Sequence, residues 1–181
     1  MGQSENLADI EAKLTSRDPE VVDSCLSYVK ELLSSEQDRN QTVSGKATNI
    51  LGFAGVIATL SIPLIDLISS VRTTSLCLSV VLSGLYVVML FAILSTIWLA
   101  FGGRTREKMT VPDIADIFAF QTLQSIDVKK KWLADLIYAY KATISDVNKR
   151  VTNVYTAQER LAIAIVLLLF LAGAGVLAKL F

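Results

Sequence analysis

Histidine is absent from this chain of 181 residues, and cysteine occurs only at Cys25 and Cys77. Without histidine, neither imidazole-based acid/base catalysis nor a His-ligated metal site is available, and two cysteines cannot build a disulfide framework. Cys25 falls on an amphipathic helical face and Cys77 within a long apolar run, so we interpret both as packing residues.

Sequence motifs of the common enzyme classes are also absent. The chain has no Walker-type GxxxxGK[ST], no GxGxxG, no HExxH, no CxxC and no GxSxG, the usual signatures of phosphate loops, dinucleotide sites, zinc or redox sites and nucleophile elbows. Seventeen Lys and Arg balance seventeen Asp and Glu, which argues against a basic nucleic-acid-binding surface. We therefore expect a protein that is not an enzyme, needs no cofactor or metal and binds no nucleic acid.

Apolar residues, in contrast, make up 52% of the chain and concentrate in three runs. The runs are 49–70, 75–101 and 161–181, and among their residues only Asp66 and Lys179 are charged. Because about 20 helical residues span a hydrocarbon core of ~30 Å, each run can form one transmembrane helix. The predicted fold class is an all-α, polytopic membrane protein with three transmembrane helices, N-terminal cytoplasmic helices and a long cytoplasmic helix continuing into the last span.

Positive charges lie almost entirely on one side of these spans. Apart from Arg72 and Lys179, every Lys and Arg precedes the first span or lies between the second and the third. Because positively charged flanks stay on the cytoplasmic face, we expect the N-terminus inside and the C-terminus outside a cell membrane. The predicted segments are a cytoplasmic N-terminal part, a transmembrane hairpin, a second cytoplasmic part and a final span: 1–46, 47–103, 104–160 and 161–181.

Two helices are predicted before the first span. The first covers residues 3–15, and Asp18-Pro19 supplies the N-cap and first position of the second. Apolar residues at helical spacing give this second helix a face that needs a partner: Val22, Cys25, Leu26, Val29, Leu32 and Leu33. Residues 34–46 fit either a loop or a helix running into the first span.

A long helix is predicted to begin near Ser125 or Asp127, after a sharp exit of the second span at Gly102-Gly103 and a further helix beginning near Val111-Pro112-Asp113. Its apolar residues recur at intervals of three and four and form a stripe: Leu133, Leu136, Tyr140, Ile144, Val147, Val151 and Val154. Since neither Gly nor Pro occurs between Ile126 and Leu171, the pattern predicts one helix that continues into the third span.

Asp66 is the only carboxylate within a predicted span, and Pro63 precedes it by three residues. Proline removes a backbone hydrogen bond and should kink the helix, and ionisable groups inside membranes often mark ion pathways. Asp66 also lies near the outer end of the span, where water and headgroups reach it. A pore residue and an interfacial residue are both consistent with this position.

Small residues and lysines provide further candidate sites. Small residues that allow close helix packing, within the chain or between copies, are Ala54 with Ala58, Ser79 with Ser83, Ala174 with Ala178, and Gly173 and Gly175. Lys129-Lys130-Lys131 fits either a solvated helix start that sets topology or a site for anionic headgroups or a nucleotide phosphate.

Short sequence matches accompany this layout. They are Lys46-Ala47-Thr48-Asn49-Ile50-Leu51-Gly52 at the first span, and Asn148-Lys149-Arg150-Val151 and Tyr155-Thr156-Ala157 before the last. Over roughly residues 40–181 the chain resembles the small multi-pass effectors of bacterial anti-phage signalling, the Pycsar transmembrane effectors and SLATT-type proteins. The resemblance implies an inner-membrane homo-oligomer that damages or permeabilises the bilayer once a cytoplasmic part is triggered, often by a cyclic nucleotide.

The leading hypothesis is a non-enzymatic, oligomeric, pore-forming or membrane-disrupting protein whose cytoplasmic helices respond to a ligand or a partner. A three-span protomer is too small to enclose a pathway alone, so the hypothesis requires a homo-oligomer in the lipid bilayer. The alternative is a membrane anchor or assembly subunit that holds a soluble protein partner through the stripe from Leu133 to Val154.

Overall fold

The computed structural model describes residues 7–71, 76–104 and 125–180, with side chains described as far as Ala178. Regular structure in these ranges is helical throughout, which confirms the predicted all-α class for the described part of the chain. The helices are α1 (Leu7–Lys13), α2 (Pro19–Ser61), α3 (Pro63–Val71), α4 (Leu76–Arg104) and α5 (Ser125–Leu180). The helix predicted near Val111-Pro112-Asp113 lies outside the described residues.

Helix α2 begins at the predicted cap. The Asp18 carboxylate accepts a hydrogen bond from the backbone N–H of Glu20 at 3.0 Å, and Pro19 occupies the first helical position, where its missing N–H costs nothing. The helix then runs for 43 residues. Residues 34–46 are helical, including Gly45, so the open choice between a loop and a helix is decided for the helix.

The chain leaves helical geometry for one residue at Ile62, immediately before Pro63. Pro63 has no N–H to donate to the carbonyl of Thr59, and the N–H of Ile62 bonds to that carbonyl instead, at 3.3 Å. The N–H of Ile65 then donates to the carbonyl of Ile62 at 3.1 Å. The proline at which the sequence predicts a kink therefore separates α2 from α3.

The described residues divide into two compact units, of which the first comprises those within Met1–Gln41 and Arg106–Asn148. Its core is a cluster in which α2 meets α5: Val22, Leu26, Val29 and Leu133, with Leu14, Leu33, Leu136 and Ile137 packed against it. The apolar face of α2 that needed a partner thus finds it in the same chain.

The second unit comprises the described residues within Thr42–Thr105 and Lys149–Phe181. Its core draws on α2, α3, α4 and α5, and the alanines at its centre are fully buried: Ala47, Ala54, Ala100, Ala157 and Ala164. Small side chains at such positions let helix backbones approach closely.

Three helical stretches among the described residues are long and apolar enough to cross a membrane: Pro19–Val71, Leu76–Arg104 and Ser125–Ala178. The first joins α2 and α3 across the break at Ile62. The third belongs to α5, a single helix of 56 residues, as the lack of Gly and Pro over most of its length predicts. Length and composition thus support a multi-pass membrane protein.

Candidate functional site

Exposed apolar side chains concentrate in the second unit. Among the described residues, only four large apolar side chains that are exposed belong to the first unit: Val21, Tyr28, Trp132 and Tyr138. In the second unit, the exposed apolar side chains include three on α4: Phe91, Leu94 and Trp98 are 68%, 65% and 81% exposed. A surface of this kind is unfavourable in water and well suited to lipid hydrocarbon.

Asp66 lies on this apolar surface. The residue is exposed in the first turn of α3, directly after Ile65 and four residues after Ile62, which are also exposed. The break before Pro63 creates a helix N-terminus here, and its partial positive charge favours a carboxylate in the first turn. The hydroxyl of Ser69 donates a hydrogen bond to the backbone carbonyl of Asp66 at 2.8 Å and not to its carboxylate.

A cleft of about 610 Å³ lies between α3 and α4. Ile65 and Ser69 line it from α3, and Ser79, Ser83 and Tyr86 from α4. Ser79 is buried and Ser83 is exposed, with the Ser83 hydroxyl donating to the Ser79 carbonyl at 2.8 Å. The candidate packing pair Ser79 and Ser83 therefore forms part of a cleft wall within one chain.

The other candidate packing residues divide between the core and the surface. Ala54 is fully buried, and Ala58 is half-buried against the core. A Cβ at Gly175 would lie 2.7 Å from Cδ2 of Leu67, so that glycine permits a close contact between α5 and α3. Gly173 has open space around it and faces away from the core.

Three helices approach one another closely at Gly103, which the sequence marked only as the exit of a span. Both Gly102 and Gly103 are helical and belong to α4. A Cβ on Gly103 would lie 2.7 Å from Cγ2 of Val154 in α5 and 3.4 Å from Cβ of Ala47 in α2. The sequence signal that could have indicated close packing of α2 and α5 here was the seven-residue spacing of small residues. Ala47 and Ala54 have this spacing, as do Ala157 and Ala164, and seven residues is the coiled-coil interval.

The predicted stripe on α5 is used for packing within the chain. In the first unit, Leu133 and Val147 are buried, and Leu136, Tyr140 and Ile144 are half-buried. In the second unit, Val154 is buried and Val151 packs against the core. A soluble partner would find little of this stripe exposed.

The three lysines at the start of α5 have different surroundings. Nζ of Lys129 lies 2.7 Å from Oδ1 of Asp23, and this ion pair joins α5 to α2. Lys130 and Lys131 line a shallow cleft together with two acidic side chains, Glu11 and Asp127. Because those carboxylates offset the lysine charges, the arrangement is a poor match for a phosphate.

The interpretation of both cysteines as packing residues is wrong. Cys25 and Cys77 are exposed in the described structure. In the part of α2 that belongs to the first unit, the buried positions are Val22, Leu26 and Val29. The packed face is therefore narrower than the sequence indicated and leaves Cys25 outside it.

Comparisons of the chain with protein-family models, with curated proteins and with solved structures find no match.

Proposed function

We propose that this chain is a non-enzymatic, homo-oligomeric protein of the bacterial inner membrane that permeabilises or disrupts the bilayer when its cytoplasmic helices are triggered, in anti-phage defence. The single observation that carries the proposal is the exposed Asp66 carboxylate on the apolar surface of the second unit. The N-terminus is inside and the C-terminus outside, following the distribution of Lys and Arg.

An exposed carboxylate in a membrane-spanning segment is unfavourable against lipid. Insertion scales put the cost at roughly 2.5–3.5 kcal/mol for a charged residue at the centre of a span, and less toward the ends. Assembly of several protomers relieves this cost when Asp66 faces a water-filled path between them. Ser69, about one turn after Asp66 on α3, lines a cleft between α3 and α4 together with Ser79 and Ser83.

The trigger acts on the first unit. In this unit, α2 and α5 pair through the cluster of Val22, Leu26, Val29 and Leu133. Each of these two helices continues without interruption into residues of the second unit. A cyclic nucleotide or a soluble protein that alters the pairing therefore acts on helices that also form spans. A mere anchor that binds its partner through the α5 stripe is less well supported, because the chain itself covers most of those residues.

The proposal is tested by measuring the mass of the full-length protein in lipid nanodiscs and ion flux from liposomes containing only this protein, with and without cyclic nucleotides. Four or more protomers together with flux support it. A monomer that passes no ions under any condition, and that co-purifies with a soluble protein, would establish the anchor instead.

A further inference from the structure

We infer that the second unit binds an anionic phospholipid in a groove between α2 and α5. The groove has a volume of about 330 Å³, within the lower range of small-ligand sites. Its floor is Ile50 from α2 and Leu161 from α5, which are only 4% and 8% exposed. Its walls are exposed side chains of the same two helices, so the groove opens to the surroundings of the protein.

Along its length the groove changes from polar to apolar. Lys46, Asn49 and Gln158 supply an ammonium group and two amide groups at one end. Phe53 and Ile165, which are 63% and 39% exposed, form the other end, four to seven residues further along their helices. A phospholipid has the same order of chemistry, with a phosphate that accepts hydrogen bonds followed by acyl chains.

The groove also lies at the right depth. The first predicted span begins at Asn49 and the third at Leu161, and both residues line the groove. Its polar end is therefore at headgroup level and its apolar end is in hydrocarbon. Lys46 belongs to the lysine- and arginine-rich side of the spans, where each cation near an anionic leaflet adds about 1 kcal/mol of attraction.

Charge argues for a lipid rather than a second copy of the chain in this groove. A second copy in the same orientation would bring its own cation-rich flank beside Lys46, and like charges at an interface are unfavourable. An anionic lipid phosphate complements Lys46 instead. This site does not depend on the proposed pore, because it needs only that α2 and α5 enter the bilayer.

The test uses the full-length protein in a neutral detergent, titrated with phosphatidylglycerol or phosphatidylcholine, with bound lipids counted by native mass spectrometry. We expect preferential retention of phosphatidylglycerol and about fivefold weaker retention in Lys46→Gln. Arg160→Gln is the matched control, because Arg160 is exposed close to Gln158 on α5 but does not line the groove. It should retain phosphatidylglycerol as the unaltered protein does.

Ala162→Phe tests the groove without changing charge. Ala162 is exposed on the groove wall, so a larger side chain fills the groove and leaves the core intact, and lipid retention should fall. Equal losses in Lys46→Gln and Arg160→Gln would overturn the site in favour of general attraction between cations and headgroups. A change in oligomer mass in Ala162→Phe with unchanged lipid retention would show that a second copy occupies the groove.

Discussion

Nζ of Lys129 lies 2.7 Å from Oδ1 and 2.8 Å from Oδ2 of Asp23, although 106 positions separate the two residues. Close by, Nζ of Lys30 lies 4.3 Å from the ring centroid of Trp132, again between α2 and α5. The ion-paired side chains are 35% and 53% exposed, so solvent screens them and the pair contributes at most about 1 kcal/mol. The apolar cluster beside them must supply most of the stability of the first unit.

Leu133→Ala is expected to destabilise the first unit by about 2–5 kcal/mol, because Leu133 is 2% exposed and its loss leaves a cavity against Val22, Leu26 and Val29. Lys129→Ala should cost no more than about 1 kcal/mol. Denaturant unfolding of the purified protein, followed by Trp132 fluorescence in a Trp98→Phe background, measures both. Equal effects of the two substitutions would contradict this ranking.

Gly103→Ala is expected to lower stability by about 1–3 kcal/mol, since the added methyl would meet Val154 and Ala47 and a helical valine has little rotamer freedom to move aside. Gly45→Ala is the matched control. It has open space within α2 and should gain about 0.5–1 kcal/mol from reduced chain entropy. Melting temperatures in one detergent compare them, and a neutral Gly103→Ala would mean that the three helices do not meet there.

Asp66→Asn is expected to change the conductance and cation preference of the reconstituted protein, because it removes the charge that we place on the pathway while keeping the size of the side chain. Glu159→Gln removes a carboxylate from an exposed position on α5 and serves as the control. Single-channel or liposome-flux recordings provide the measurement. Unchanged conductance and selectivity in Asp66→Asn would make Asp66 an interfacial residue instead.

The two tryptophans should differ in their contact with lipid. Trp98 is 81% exposed on the apolar surface of the second unit, whereas Trp132 belongs to the first. In liposomes of brominated phospholipid, the fluorescence of Trp98 in Trp132→Phe should be strongly quenched. That of Trp132 in Trp98→Phe should be quenched much less, and the reverse pattern would contradict the membrane assignment of the second unit.

Cys25 offers a direct test of topology because it is exposed on α2. In Cys77→Ser, where Cys25 is the remaining thiol, a membrane-impermeant maleimide should label inverted membrane vesicles and leave intact spheroplasts unlabelled. Labelling of intact spheroplasts alone would place the N-terminus outside and invert the proposed topology.

The candidate sites differ in how far the sequence could anticipate them. The break at Pro63 follows from covalent chemistry, since proline lacks the N–H that the helix needs. The cluster of Val22, Leu26 and Val29 follows from helical spacing, but its partner Leu133 does not, because spacing along one helix carries no information about which other helix covers it. The exposure of Cys25 was missed for the same reason.

By itself, the sequence determined that the chain carries three apolar runs long enough to cross a membrane as helices, since composition and length decide whether a segment can enter hydrocarbon, and backbone polarity then favours a helix. Only the tertiary structure decided which small residues lie in contact. Gly103 meets Ala47 and Val154, while Gly173 meets open space, although all four residues are small or medium-sized and apolar. Packing depends on the rotation of each helix against its neighbours, and that rotation is a property of the assembled core.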